Sequence, residues 1–166
     1  MRSDFKVTVS KDYLVFSSAH FITFRGHQCE TLHGHNYRVG VTVEGSVDAE
    51  TMFVVDFSIL KKTVRKLVDE VDHKVLLPLK NPKLGFREQG KHRLVDYFGE
   101  HTYTFPVVDC AMVPIENTTA EMLAQHFAHR TREELLAMGI RNLTAIEMEV
   151  EESFGQSATF RLAVGA

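Results

Sequence analysis

Cysteine is scarce in this chain of 166 residues, which contains only Cys29 and Cys110, too few for a disulfide framework. The composition therefore suits a reducing compartment, the cytoplasm, and favours a reactive thiol at Cys29 over a bridged one. Basic residues are not in excess either, because 19 Lys and Arg stand against 22 Asp and Glu, giving a formal net charge of −3. Nucleic-acid binders normally carry a basic excess, so we expect no nucleic-acid partner.

Long apolar segments are also absent. No hydrophobic run approaches the roughly 18 residues that a membrane-spanning helix needs. Residues 1–12 alternate charged with apolar side chains and lack the apolar segment of a signal peptide. There is no internal repeat, low-complexity tract or linker. We expect one domain over residues 1–166, large enough for its own core and without a membrane partner.

A His-Gly-His pattern lies in the segment 29–37, where apolar and polar residues alternate from Gly34 onward as in a β-strand. Alternate residues of a strand share a face, so His33 and His35 project the same way, about 7 Å apart at Cα. His20 closes an earlier alternating run, and pairing of the two strands would bring its imidazole to the same point. Three imidazoles with an open fourth position are typical of a catalytic zinc site.

Cys29, four residues before His33, has two interpretations. A thiol beside Zn²⁺ or an imidazolium has a lowered pKa and can act as a thiolate. Alternatively, the sulfur is a fourth zinc ligand, which would close the site and make it structural. The motif thus predicts a metal site near Cys29 but leaves the role of the thiol open.

Four segments alternate like half-buried strands: 5–20, 33–47, 146–152 and 158–164. The first is irregular near Lys11 and Asp12, and it should pair with the second as an antiparallel hairpin. An apolar stripe over 57–71, with Asp56 as N-cap, predicts one helix. The capping-box pattern at 118–121 opens another, which Gly139 ends. The order predicts an α+β fold, ββααββ, with two helices on one face of a four-stranded antiparallel sheet.

Three acidic or basic side chains outside the histidine pattern are candidate site residues. Asp72 and His73 form a candidate acid–base pair at the end of the first helix. From spacing alone, a polar helix terminus, with His73 favoured by the helix dipole, is the preferred explanation of the pair. Glu152 lies on the apolar face of its strand, where a carboxylate needs a partner. A ligand with two N–H donors would pair with it in bidentate fashion.

These motifs together resemble the 6-pyruvoyl-tetrahydropterin synthase / 6-carboxy-tetrahydropterin synthase family. The matching segments run in order along nearly the whole chain: 16–20, 29–37, 54–57, 71–74, 118–121 and 150–160. The resemblance implies the tunnelling fold, in which ββααββ subunits join side by side into a barrel. It also implies a homo-oligomer, a hexamer of two stacked trimeric rings, with active sites between subunits. Such closure would remove exposed sheet edges.

The resemblance further implies roles for individual residues. Zn²⁺ would be bound by three histidines: His20, His33 and His35. Proton abstraction and relay would involve Cys29, Asp72 and His73. Glu152 would anchor the amino edge of a pterin, with Thr119 nearby. The implied substrate is 7,8-dihydroneopterin triphosphate, and the implied product is 6-carboxy-tetrahydropterin, as in queuosine biosynthesis, or 6-pyruvoyl-tetrahydropterin.

The presence of Glu30 leaves open which of two pterin reactions the chain would catalyse. It completes a Cys-Glu-x-x-His-Gly-His string, which combines the Cys pattern of bacterial 6-carboxy-tetrahydropterin synthases with a Glu pattern. Relatives with the Glu pattern cleave dihydroneopterin side chains to 6-hydroxymethyl-dihydropterin for folate synthesis. Glu30 is therefore a candidate catalytic residue, with a solvated loop acid as the alternative.

The chain departs from the family pattern in two places. Leu77 replaces an Asn, and an insertion over 79–116 is longer than usual. Proline punctuates this insertion, in which 92–98 and 101–105 predict a small hairpin. It would reshape the substrate mouth or add a contact between subunits. A non-catalytic pterin- or purine-binding module and a zinc hydrolase unrelated to pterins remain as alternative functions.

Overall fold

The structure is a computed structural model that describes residues 4–165. Two helices lie among the strands of the described chain: α1 (Phe57–Asp69) and α2 (Ala120–Ala137). The strands are β1 (Phe5–Val9), β2 (Val15–His20), β3 (His33–Gly45), β4 (Lys74–Pro78), β5 (Leu84–Gln89), β6 (His92–Tyr97), β7 (Glu100–Pro106), β8 (Cys110–Val113), β9 (Leu143–Ser153) and β10 (Gln156–Ala163). Neither described helix is both long and apolar enough to cross a membrane.

Strand β3 is the centre of the main sheet. One of its edges pairs with β9, and the other pairs first with β2 and then with β1, all antiparallel. A 3₁₀ turn over Lys11–Tyr13 separates β1 from β2, at the irregularity predicted near Lys11 and Asp12. The predicted hairpin is confirmed, with His20 directly opposite His33.

Both helices pack on one face of this sheet, as the α+β prediction requires. The Asp56 carboxylate caps α1 by accepting a hydrogen bond from Ser58 N at 2.6 Å. The buried stripe of α1 and the inward faces of β3 and β9 form the main core, which includes Leu60, Val64, Leu67, Val39, Val41, Ile146 and Met148. This core fixes the end of β2 and the start of β3, where the three histidines lie.

Helix α2 begins one residue later than the capping-box pattern predicts. Its N-cap is Thr119, whose hydroxyl accepts from Met122 N at 3.3 Å. Thr118 is fully buried instead, and its hydroxyl donates to the Phe21 carbonyl oxygen at 3.1 Å. At the other end Gly139, with φ of +84°, terminates the helix as predicted.

The prediction of a four-stranded antiparallel sheet is wrong. The main sheet has seven described strands in the order β10-β9-β3-β2-β4-β8, with β1 beside β3. Strands β4 and β8 join it in parallel. Strand β4 (Lys74–Pro78) is a short apolar run, with Leu76 and Leu77 both buried, so it has none of the alternation that identifies a half-buried strand.

Strand β8 lies in the predicted insertion, 79–116, and the rest of that segment forms a second, three-stranded antiparallel sheet, β5-β6-β7, called the inserted sheet. It contains the predicted hairpin, formed by β6 and β7, and adds β5. A separate apolar cluster lies between this sheet and the main one, with Phe21, Leu77 and Val95 buried at its centre and Cys29 packed against it. The inserted sheet therefore adjoins the loop that carries Cys29.

Candidate active site

The three predicted histidines converge. Ring centroids are 4.7 Å apart for His33 and His35, 4.8 Å for His20 and His33, and 5.1 Å for His20 and His35. One nitrogen of each ring lies within 4.8 Å of the others, and the Nε2 atoms of His33 and His35 are 2.9 Å apart. Nitrogens bound to one tetrahedral Zn²⁺ are spaced by about 3.4 Å, so a small adjustment of the rings would accommodate the ion.

Backbone carbonyls orient two of these rings. The Nδ1 of His20 lies 2.8 Å from the Thr118 carbonyl oxygen, and the Nδ1 of His33 lies 2.7 Å from that of Thr31. Each contact leaves Nε2 turned toward the cluster, in the arrangement usual for metal-binding histidines. Sequence reasoning missed Thr118 and Thr31 in this role, because a backbone carbonyl carries no side-chain signal.

The donor set fits a divalent metal ion. The Nε2 of His20 is buried and has no hydrogen-bond partner, which is costly for a polar atom unless something binds it. Burial lowers the pKa of His20 to about 4, so the ring is neutral at pH 7 with a free lone pair. Three neutral imidazoles are a ligand set typical of catalytic zinc.

Cys29 stands outside the described metal-binding group, which comprises only the three histidines. Its sulfur lies 3.5 Å from the Glu30 carbonyl oxygen. This arrangement does not support the fourth-ligand interpretation. Burial, and then the charge of Glu30, raise the pKa of the Cys29 thiol instead of lowering it. The surroundings of Cys29 within the chain thus favour its protonated thiol form. Formation of the expected thiolate would depend on the charge of a bound cation.

Glu30 faces the histidines. One carboxylate oxygen accepts from Ile22 N at 3.1 Å, and the other is 3.8 Å from the Nε2 of His33. The solvated-acid interpretation therefore does not describe this side chain, which is anchored to the opposite strand of its own loop. Its position is suited to exchanging a proton with a ligand of the site.

Glu152 and Thr119 line one cleft of about 260 Å³, together with Ile22, Gln156 and Ser157. The sequence pattern suggested that the inward carboxylate of Glu152 has no partner within the protein. The structure differs, because Oε1 of Glu152 is 3.3 Å from the Nε2 of His35. Strands β3 and β9 are hydrogen-bonded neighbours, and their register brings this pair together. The cleft thus adjoins the histidine cluster.

Asp72 and His73 contact each other but not the cluster. The Asp72 carboxylate is 3.0 Å from the His73 Nδ1 and accepts from Ser17 N at 2.8 Å. That backbone N–H, and then His73, lower the pKa of Asp72. His73 has a left-handed backbone, with φ of +56°, and a side chain 82% exposed. Among the described residues, neither side chain forms a hydrogen bond or ion pair with the three histidines.

Fold and site together define an α+β protein with a three-histidine centre suited to a metal ion, beside a cleft that ends in a carboxylate. Residues 8–163 match the family model described as 6-pyruvoyl tetrahydropterin synthase. The chain therefore belongs to the 6-pyruvoyl tetrahydropterin synthase family, and the family resemblance predicted from its motifs is confirmed.

Individual relatives agree with this assignment. A putative 6-carboxy-5,6,7,8-tetrahydropterin synthase of Methanocaldococcus jannaschii is 40% identical over 148 residues, which are 89% of this chain and 90% of the relative. The 6-carboxy-5,6,7,8-tetrahydropterin synthase of Haemophilus influenzae is 30% identical over 139 residues, covering 80% and 89% of the two chains.

Solved structures share the fold. The crystal structure of 6-pyruvoyl tetrahydropterin synthase from Plasmodium vivax matches with a TM-score of 0.89 and 32% identity over 98% of this chain and 99% of its own. Two further structures of the P. vivax protein are described as catalytic residue mutants, in which a glutamate is replaced by alanine or by cysteine.

Proposed function

We propose that this chain is a zinc-dependent tetrahydropterin synthase that acts on the side chain of 7,8-dihydroneopterin triphosphate and forms 6-carboxy-tetrahydropterin. The reaction would consume one water and release triphosphate and the two outer side-chain carbons as acetaldehyde. The unpartnered, buried Nε2 of His20 is the observation that carries the proposal, because it lies between two further imidazoles and beside the Glu152 cleft. The names of the two microbial relatives favour this product over 6-pyruvoyl-tetrahydropterin. Two free thiols suit a reducing compartment such as the cytoplasm.

His20, His33 and His35 would hold the zinc ion. A zinc ion held there with an open position would polarise an oxygen of the substrate side chain and so acidify the neighbouring C–H. The carbonyls of Thr118 and Thr31 keep two of the rings in the required orientation. This geometry supports a catalytic centre over a closed structural one, since Cys29 does not complete the ligand set.

Glu152 would anchor the pterin. A pterin presents two N–H donors along its amino edge, and a carboxylate accepts such a pair in bidentate fashion. Thr119 lines the same cleft and would contact the ring as well. Recognition at this end would set the substrate side chain beside the histidines, within reach of Cys29 and Glu30.

Proton abstraction would fall to Cys29, with Asp72 and His73 relaying the proton. Asp72 is a carboxylate that orients the exposed His73 ring. Because this pair does not contact the histidines of its own chain, we propose that it serves the site of an adjoining subunit. That arrangement requires the homo-oligomer, a hexamer of two trimeric rings around a shared barrel.

A second candidate reaction is supported by Glu30. Its carboxylate lies 3.8 Å from His33, and the P. vivax relative has a glutamate described as catalytic. Under this alternative, Glu30 takes the proton, and the side chain of dihydroneopterin is cleaved to give 6-hydroxymethyl-dihydropterin for folate synthesis. Both reactions use the same metal centre and pterin cleft.

Product analysis tests the proposal and separates the two reactions. The zinc-loaded protein is incubated with dihydroneopterin triphosphate and with dihydroneopterin, and the products are identified by mass spectrometry. We expect 6-carboxy-tetrahydropterin from the triphosphate, lost in Cys29→Ala and retained in Glu30→Gln. If the product is 6-hydroxymethyl-dihydropterin and turnover is lost in Glu30→Gln but not in Cys29→Ala, the alternative reaction is favoured. Turnover of neither compound would reject both reactions.

A further inference from the structure

The loop that carries Cys29 and Glu30 is a narrow hairpin with an exposed tip. At its base Thr23 pairs with Cys29, and Glu30 N donates to the Ile22 carbonyl oxygen at 2.8 Å. Within the tip, 24–28, the described backbone adds a bond from Phe24 N to the Gln28 carbonyl oxygen at 2.9 Å. Exposed loops with little internal bonding open easily, so contacts from outside decide how well this loop keeps its geometry.

The inserted segment supplies such contacts through Lys83, the residue before β5. Its Nζ donates to two carbonyl oxygens of the tip, those of Phe24 and Gly26, the latter at 2.6 Å. Hydrogen bonds from an ammonium group are stronger than those between neutral groups. Lys83 therefore links the first residue of the tip to the turn at Gly26, where φ is +73°.

Asn81 extends this contact to the base of the loop. Its amide nitrogen donates to the Thr23 hydroxyl at 2.8 Å, and its amide oxygen accepts from Lys83 N at 2.9 Å. Asn81 is buried, with 5% of its surface exposed. A buried, doubly bonded amide fixes the backbone from which Lys83 extends.

An aromatic stack also contacts the tip. The rings of His27 and Phe98 are 4.2 Å apart and nearly parallel, at 17°. Phe98 lies in the turn between β6 and β7, and the Lys83 Nζ is 6.0 Å from its ring centroid. The cation and the ring thus come from the same corner of the inserted sheet.

We propose that Lys83 is a positioning residue: it holds the tip of the Cys29–Glu30 loop, so that the insertion sets the two proton-transfer groups against the three-histidine centre. This inference rests on the proposed function for the roles of Cys29 and Glu30. It assigns to the inserted segment a task within its own subunit, distinct from a contact between subunits.

The test compares Lys83→Met with Lys83→Arg in the zinc-loaded protein, and Lys91→Met serves as the control. Lys91 is exposed in the turn between β5 and β6, and its replacement removes the same charge from the same sheet. Arg25, at the exposed tip, provides a tryptic site that reports opening of the loop. We expect cleavage after Arg25 to be roughly tenfold faster in Lys83→Met, because two charged hydrogen bonds are lost.

The same variants are assayed for turnover. For Lys83→Met we expect kcat to fall by about tenfold with KM nearly unchanged, since the pterin cleft does not include Lys83. Lys83→Arg should restore both kcat and resistance to trypsin, and Lys91→Met should match the wild type. The inference would be overturned if Lys83→Met were cleaved after Arg25 at the same rate as the wild type. It would also be overturned if cleavage were faster but kcat unchanged. If the wild type converts no pterin, the proposed function fails, whereas the cleavage rates still decide whether Lys83 holds the loop.

Discussion

At the scale of single residues, backbone carbonyls determine the chemistry of the histidine cluster. The carbonyl oxygens of Thr118 and Thr31 accept from the Nδ1 atoms of His20 and His33, which selects the tautomer with a free Nε2. His35 lacks such a partner among the described contacts and lies instead beside Glu152. The cluster is thus held by hydrogen bonds at two rings and adjoins the Glu152 cleft through the third.

Replacement of Glu152 tests that link. In Glu152→Gln, one acceptor of a bidentate pair becomes a donor, so we expect pterin affinity to fall by about 10- to 100-fold while zinc is retained. Isothermal titration with a non-reacting pterin measures the affinity, and elemental analysis measures the zinc. Glu149→Gln, on the opposite face of β9, is the matched control. An unaltered affinity in Glu152→Gln would reject the anchoring role.

At the scale of secondary-structure elements, a strand could be predicted from the sequence when only one of its faces is buried. Strands β2, β3 and β9 bury one face and alternate, so the strands themselves, the pairing of β2 with β3 and the meeting of His20 with His33 were predictable. Strands β4 and β8 were not predicted, because parallel strands covered on both faces lack alternation. The nearness of Glu152 to His35 depends on the register of β3 against β9, which sequence patterns leave undetermined.

The strands β1, β3 and β10 share a charge cluster that should contribute modestly to stability in acid. Arg161 contacts both oxygens of Glu44 at 2.8 Å, and Lys6 lies 2.9 Å from the same carboxylate. Hydrogen bonds from Arg161, and then from Lys6, lower the pKa of Glu44 from 4.5 to about 2. A carboxylate with a lowered pKa stabilises the fold above its ordinary pKa, and this contribution is lost as the pH falls toward about 2.

Glu44→Gln should therefore make the stability of the protein depend less on pH in acid solution. The ordinary and the lowered pKa of Glu44 set a window of roughly pH 5 to pH 2.5. Within this window we expect Tm to fall less steeply in the variant than in the wild type. Scanning calorimetry across this range provides the measurement, with Glu50→Gln in the exposed turn at 49–51 as control. Parallel curves for wild type and Glu44→Gln would show that this cluster contributes nothing.

At the scale of the whole molecule, one chain does not bring all the proposed catalytic residues together. Cys29 and Glu30 belong to the loop beside the three histidines, whereas Asp72 and His73 follow α1 and form no bond to that cluster in the described chain. We therefore propose that a complete site combines residues from two copies of the chain, as the proposed ring assembly would provide.

Mixed oligomers test this division. Cys29→Ala and His73→Ala should each be inactive alone, yet oligomers co-assembled from equal amounts of both should regain activity. If each site takes Cys29 from one subunit and His73 from another, about one site in four is intact by random assembly. Co-expression with two affinity tags isolates the mixed species for assay. Activity no higher than that of either parent would place both residues in the same subunit's site.

X-ray absorption at the zinc edge tests the central claim most directly. For the purified wild-type protein we expect about one zinc per chain, three nitrogen ligands at about 2.0–2.1 Å and an additional light-atom ligand, with no sulfur. His33→Ala should lose the zinc, and His92→Ala, on the inserted sheet, should retain it. A sulfur ligand at about 2.3 Å, or full zinc occupancy in His33→Ala, would contradict an open three-histidine centre.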